Sequence, residues 1–412
     1  MFNLAKTFKS GSTYKSFFLS ILTVGLAIGL YKGVIDNYFA EVVHMSAFDK
    51  GVSEFFRELP GLLLVVILAA LYAMSAERIY KIGAVVMLVG MTLQAIIPPS
   101  RTLVILVTFI FSTGEHMQLG MRNTLSLNFA REEHGGSALG YQNAIYQIGT
   151  LIGFLTVCVV FLCHKSTSNL YNLIFAASAA FVLLSFLSLA KMRGRSEADA
   201  TTRRIYFRKK YHKYYMLEIF YGARKQIFFT FGPYALVLFY HANALTISLL
   251  FAISAITSFF AAPLIGKLID HIGYKTVMVA DTIILVVVCF FYGFAHHLFP
   301  MHFAFIVCCV NYVLDAIISL ASMATYVYVQ DLSDNQYEIK ATLTTGLSLN
   351  HLITILIALF GGWIWKVAGI ETLFTISAIL GLCNSAYAAT IKVPKHAKDQ
   401  LEPSVSNLES QN

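Results

Sequence analysis

The sequence predicts an all-α polytopic membrane protein of twelve transmembrane helices, arranged as six, a basic connector, and six more. Three observations predict it. Of the 412 residues, 57% are hydrophobic and only 13% are charged, about half the charged share of an ordinary soluble domain. Apolar runs recur that are long enough, at about 18 or more residues, for a helix to cross roughly 30 Å of hydrocarbon. One long polar stretch interrupts them: Lys191 to Lys213 holds nine Lys or Arg against Glu197 and Asp199. Neither flanking half reads as a soluble domain, because each would expose more apolar surface than a globular fold hides.

Taken in order, the predicted spans are 16–38, 52–74, 80–98, 102–125, 137–162 and 170–190, then 214–240, 245–266, 274–296, 301–327, 340–365 and 370–391. The corresponding organisation is an N-terminal six-helix region over 1–190, a basic linker over 191–213, a C-terminal six-helix region over 214–392, and a polar, disordered tail over 393–412. The start is basic and then apolar, like a signal peptide. The run continues past Ile28 with no A-x-A site and carries Lys32 and Asp36, so it reads as a retained first helix.

Positive charge partitions between alternate loops. One set holds Lys6, Lys9, Lys15, Arg78, Lys81, Arg131, the connector, Lys267, Lys275, Lys340, Lys392, Lys395 and Lys398; the other holds only Lys50, Arg101, Lys165 and Lys366. Cytoplasmic loops retain positive charge, so both termini are expected in the cytoplasm of a cell with this protein in its inner (plasma) membrane. The net charge of +8 is thereby explained by topology, and nucleic acid is not expected as a partner. The six cysteines form no CxxC, so no disulfide framework, metal site or cofactor is indicated.

The turn between spans eight and nine reads Gly266-Lys-Leu-Ile-Asp270-His-Ile-Gly273-Tyr-Lys275. A glycine there would let two helices approach closely, the acid would cap or pair across a helix end, and Gly-x-Lys makes a tight basic turn. This segment resembles the signature G-x-x-x-D-x-x-G-x-[RK] of the major facilitator superfamily at every fixed position. The equivalent place in the first half, Ala73 to Lys81, keeps the acid Glu77 and the basic Arg78 and Lys81 but neither glycine. The resemblance implies the major facilitator fold, with two six-helix bundles rocking about a midplane cavity.

Ionisable groups at membrane depth are costly, so each is a functional candidate. Lys32 and Asp36 share a face of the first helix, either as a local ion pair or with Lys32 as an anion anchor. Glu54, Arg57 and Glu58 open the second span as a structural network or gate. Glu115 sits fourteen residues after Arg101, roughly 21 Å along a helix and so near mid-membrane, with Gln118 and Arg122 on the same stripe. It is a proton-coupling candidate or the partner of a structural base. Asn143, Gln147 and Thr150 share a face of span five, beside Gly140, Gly149 and Gly153. Arg224 and Lys225 lie about eleven residues into span seven and are expected to meet a carboxylate or an anionic ligand. Span ten carries the stripe Asn311, Asp315, Ser319, Ser322 and Tyr326, with Asp315 as second-half counterpart of Glu115. His351 shares a face of span eleven with Thr344 and Ser348.

These residues point to a secondary active transporter, not an enzyme, since no nucleophile–base motif or ligand-spaced metal cluster occurs. The expected cargo is a small organic, anionic solute. Lys32, Arg224, Lys225, Asn143, Gln147 and His351 would bind it, Glu115 and Asp315 would couple a proton or other ion, and Asp36, Arg57, Glu58, Glu77, Arg122 and Asp270 would act in gating or structure. The expected partners are that solute, the coupling ion and the lipid bilayer, around a monomer. Two alternatives stand beside this reading: a carrier of a metallophore or amphiphilic drug, suggested by His296, His297 and the abundant Phe, and a transporter-like membrane sensor.

Overall fold

The computed structural model describes residues 7–9, 13–71, 74–131, 134–192 and 207–393, and among these residues twelve helices follow one another. Residues 193–206 of the expected linker and the tail from 394 onward lie outside the described residues. The helices are α1 (Tyr14–Asn37), α2 (Ala47–Ala70), α3 (Ala76–Ile96), α4 (Arg101–Phe129), α5 (Gly135–Cys163) and α6 (Ser168–Ser188), then α7 (His212–Tyr240), α8 (Ala244–Ile272), α9 (Tyr274–Leu298) and α10 (Met301–Leu332). The last helical run, Gln336–Ala389, breaks at Gly369, giving α11 (336–368) and α12 (370–389). Among the described residues the only β pairing is an isolated bridge between Phe8 and Ala130.

Local chemistry explains several boundaries that sequence periodicity alone misplaces. The α2 helix begins at Ala47, five residues before the expected 52, because Ser46 and Asp49 cap each other. The Asp49 N–H donates to Ser46 Oγ at 3.2 Å, and the Ser46 N–H donates to Asp49 Oδ2 at 2.9 Å, a reciprocal capping box. Ser75, Thr167 and Asn335 likewise accept a backbone N–H at the starts of α3, α6 and α11. At its far end α1 continues into a π-helical turn, Tyr38–Val42. This turn carries Glu41 to the hydroxyl of Tyr171 at 2.7 Å and the amide of Asn37 at 2.8 Å.

Nine helical runs among the described residues are long and apolar enough to cross a membrane, the last of them passing through Gly369. Ala47–Ala70 and His212–Tyr240 are not in that set; α2 carries Asp49, Lys50, Glu54, Arg57 and Glu58, and α7 carries Lys213, Glu218, Arg224 and Lys225. Large apolar side chains such as Phe259, Phe260 and Val159 are at least 60% exposed, as lipid-facing positions require.

The chain divides into two compact units, Met1–Thr201 with His241–Ala252, and Thr202–Tyr240 with Ile253–Asn412. In the first, α1 crosses α5 with backbones nearly touching. A Cβ on Gly29 would lie 3.0 Å from the Gly153 Cα, and one on Gly25 would lie 3.3 Å from the Gly149 Cα. Two small-x-x-x-small pairs thus face each other, the geometry that stabilises helix contacts where lipid supplies no hydrophobic drive. Gly140 does not join them: nothing lies within 4 Å of its Cβ position. The hydroxyls of Ser20 and Ser185 meet at 2.6 Å where α1 passes α6.

In the second unit α7 packs against α11, where Gly222 leaves room for the Asn350 amide and Gly361 for the Phe231 ring. Phe228, Tyr292 and Phe374 wedge α7, α9 and α12 together, with ring centroids 4.7–5.3 Å apart. The α8–α9 turn depends on Gly273, whose φ of +82° lies in the left-handed region. Gly266, expected to allow a close helix approach, has open space at its Cβ position instead. Among the described residues nothing lies within 4 Å of that position, so its small size is not needed there for contact.

Candidate functional site

The second unit centres on a buried guanidinium. Arg224, on α7, is 1% exposed, and its Nη2 donates to Asp281 Oδ2 of α9 at 2.9 Å. Thr282 Oγ1 donates to the other oxygen of that carboxylate at 3.2 Å. The guanidinium carbon stands 4.9 Å from the Tyr221 ring centroid, a cation–π distance. Arg224 Nε is buried with no hydrogen-bond acceptor among the described residues. A strong donor without a partner in a low-dielectric interior is unstable by itself and suited to an anion.

A second carboxylate faces the same cation. Asp315 of α10 is buried, within electrostatic range of Arg224 and Lys225, and its carboxylate makes no hydrogen bond or close ion pair among the described residues. Just beyond it α10 tightens into a 3-10 turn, Ser319–Ser322, and Tyr221 Oη donates to the Ser319 carbonyl at 3.0 Å. Short 3-10 stretches inside long helices often mark hinges. Lys225, next to Arg224, is exposed. Gln226 turns along its own helix to Thr230 at 2.8 Å. Below this group Glu218 accepts from Thr325 at 3.2 Å and from the Asn350 amide at 3.4 Å.

The first unit holds a chain of buried charges along α2. Asp36 of α1 meets Lys50 at 2.6 Å, Lys50 meets Glu54 at 2.9 Å, Glu54 meets Arg57 at 2.5 Å, and Arg57 reaches Glu58. Ser112 Oγ of α4 donates to the Arg57 carbonyl, and His116 Nδ1 lies 3.0 Å from the same hydroxyl. Glu115 is close enough to Arg57, Tyr31 and Tyr146 to act on each electrostatically; its Oε2 is buried without a hydrogen-bond partner among the described residues. Asp36, Glu54, Glu58 and Glu115 therefore stand against Lys50 and Arg57, four acids to two bases.

This geometry revises several sequence expectations. The carboxylate of Asp36 takes Lys50 as its ion-pair partner, although Lys50 reads as an outer-loop charge; it is 3% exposed, because the capping box starts α2 early and draws it inward. Glu54, Arg57 and Glu58 consequently lie two to three turns inside the helix instead of at its mouth. Arg122 lies over the Tyr146 ring at 4.4 Å. Asn143 and Gln147 are exposed along α5, Lys32 and His351 are half-buried, Glu77 is half-buried in the first turn of α3, and Asp270 is exposed at the end of α8. The stripe on α10 is buried at Asn311 and Asp315 and exposed by Tyr326.

Sequence reasoning missed Asp281, Glu218 and the inward role of Lys50. The rule that flags Asp315 flags Asp281 equally, since it stands alone in the apolar run of α9.

Buried ion pairs among helices long and apolar enough to cross a membrane define a multi-pass membrane protein. Residues 214–408 match the family model for the Major Facilitator Superfamily. Compared with curated proteins by sequence, the chain finds no match. Solved structures with the same fold include the nucleoside transporter NupG, with a TM-score of 0.71 at 16% identity over 92% of this chain and 99% of that one. A D-xylose-proton symporter gives 0.72 at 14% over 93% and 98%. A bacterial homologue of the human lysosomal transporter Spinster gives 0.66 at 12% over 95% and 97%. At such identities the likeness establishes the fold. The second half of the chain thus matches the Major Facilitator Superfamily by sequence, and the chain shares the fold of these solved transporters over more than nine-tenths of its length.

Proposed function

We propose that the protein is a proton-coupled secondary transporter of a small organic anion, in which Arg224 binds the anion and Asp315 with Asp281 governs when it can. The single observation that carries this reading is the buried Arg224–Asp281 pair with an unpartnered Nε beside it and a second carboxylate, Asp315, close by. With both acids ionised, the guanidinium is paired with Asp281 and lies within electrostatic range of Asp315. A proton on one of them removes a competing charge, and a carboxylate or phosphate group of the solute can take the vacated donors in the bidentate geometry that arginine favours. Release of the proton restores the internal pair and expels the solute. Glu115, in the acid-rich cluster of the first unit, is the second proton carrier. Lys32, Lys225, Asn143, Gln147 and His351 supply further contacts to the solute, and the Lys50–Glu54–Arg57–Glu58 chain acts in gating. The protein works as a monomer in the inner membrane with both termini cytoplasmic, as the loop charges direct.

The test is a thermal-shift screen of purified protein against small organic carboxylates and phosphates at two pH values, since a ligand that binds the native state raises its stability. The expected result is stabilisation by an anion that is stronger at the lower pH and absent in Arg224→Gln. Stabilisation by neutral or cationic solutes alone, or undiminished stabilisation in Arg224→Gln, rejects the proposal.

A further inference from the structure

The outer end of the second unit gathers three metal-ligating groups that the transport mechanism does not use. His296 and His297 close the last turn of α9, and Glu371 is the second residue of α12. Nε2 of each imidazole lies 3.0 Å from the same oxygen, Glu371 Oε1. One ligand atom from each of the three groups lies within 4.8 Å of the others. We propose that His296, His297 and Glu371 form a binding site for a divalent ion of the zinc class, joining the end of α9 to the start of α12.

Adjacent residues on a helix point about 100° apart, so two consecutive histidines do not ordinarily share a partner. Here they do because the backbone is arranged for it. The α9 helix ends at Leu298 and Phe299 is extended, which frees the last side chains to turn. One turn earlier Gly293 lets α12 come close: a Cβ there would lie 3.5 Å from the Glu371 Cα. The left-handed Gly369 sets the direction in which Glu371 enters, and a Cβ at that position would fall 2.5 Å from Glu371 Oε2. The carboxylate therefore has a seat, with one oxygen against Gly369 and the other between the imidazoles. The His296 ring is held against Phe239 at 4.7 Å and against the His297 ring at 3.9 Å between centroids.

The donor set suits the ion. Zinc binds imidazole nitrogen and carboxylate oxygen at about 2.0–2.2 Å, which places tetrahedral ligands roughly 3.3 Å apart, a few tenths of an ångström beyond the observed separations. Two imidazoles and one carboxylate fit zinc and its neighbours in the first transition row better than magnesium or calcium, which prefer all-oxygen shells. Three protein ligands leave the fourth position to water. The two Nε2 atoms would carry the metal in place of their protons, with the remaining ring proton on Nδ1. Half-exposure of Glu371 and exposure of His297 give the ion a path from solvent.

The site is tested on full-length, tag-free protein in detergent by calorimetric titration with zinc chloride, in wild type, Glu371→Gln, and the double variant His296→Ala/His297→Ala. Thermal melting without metal serves as the check that each variant is folded. Wild type is expected to bind one zinc per chain and to melt at higher temperature with zinc present. Both variants are expected to lose that event or weaken it at least tenfold, and to lose the zinc-dependent shift in melting. Cobalt(II) added to wild type alone should give the intense visible absorption of a four-coordinate site. Absence of a stoichiometric event in wild type overturns the site, and so does a binding event retained within tenfold in either variant, which would place the ion on other histidines. Should a variant fail to fold, cobalt absorption that appears in wild type and is displaced by one equivalent of zinc supports the site, and its absence overturns it.

Discussion

Arg224 and Asp281, fifty-seven residues apart, share a hydrogen-bonded ion pair whose two side chains are 2% and 8% exposed. Such a pair is costly to break from one side, because the remaining charge stays buried without compensation. Replacing both partners with neutral polar residues avoids that cost. The pair can therefore be separated experimentally into a structural part and a transport part.

Arg224→Ala is expected to destabilise the protein by about 3–5 kcal/mol through the orphaned Asp281. The double variant Arg224→Gln/Asp281→Asn should recover most of that loss while remaining unable to bind the anion. Chemical unfolding in mild detergent measures the first quantity, and ligand-induced melting shifts the second. A double variant that still recognises the anion removes Arg224 from the binding role.

Asp315→Asn fixes a neutral side chain where the mechanism requires a carboxylate that gains and loses a proton. Proteoliposomes carrying this variant should lose accumulation driven by a pH gradient yet keep exchange of labelled for unlabelled solute. Accumulation at the wild-type level would show that Asp315 is not the coupling group.

Lys50→Met withdraws the cation shared by Asp36 and Glu54 and is expected to cost about 3–5 kcal/mol. Asp36→Asn/Lys50→Met should be milder, because Glu54 keeps Arg57 at 2.5 Å. Equal melting temperatures for the single and double variants would contradict the network drawn here.

Gly29→Leu and Gly140→Ala separate the two kinds of glycine. The first forces a side chain into the α1–α5 backbone contact, with an expected loss of about 1–3 kcal/mol or more. The second meets open space and should be neutral or stabilising by up to about 1 kcal/mol, the helix preference of alanine over glycine. Folded yield and melting temperature distinguish them.

Gly273→Ala should cost about 1–2 kcal/mol because its left-handed backbone disfavours a Cβ, while Gly266→Ala should be tolerated, although both positions belong to the same sequence signature. Comparable loss from both would mean that Gly266 packs against a helix in some state the transporter visits.

The sequence by itself determined the class of this protein. A helix must be long and apolar enough to span the hydrocarbon, so apolar run length wrote out the helix count, and one short motif was enough to suggest the family. It also marked most of the buried charges, since Arg224, Asp315, Glu54 and Glu58 all stand out against apolar neighbours. Only the tertiary structure decided who meets whom. Asp36 pairs with Lys50 across a helix connection, Asp281 becomes the partner of Arg224, and His296 and His297 converge on one oxygen of Glu371. The reason is physical: membrane partition depends on each segment's own composition, whereas an ion pair depends on the rotation and depth of two helices. A serine–aspartate capping box at Ser46 and two left-handed glycines, Gly273 and Gly369, set turns and helix starts that hydropathy does not register.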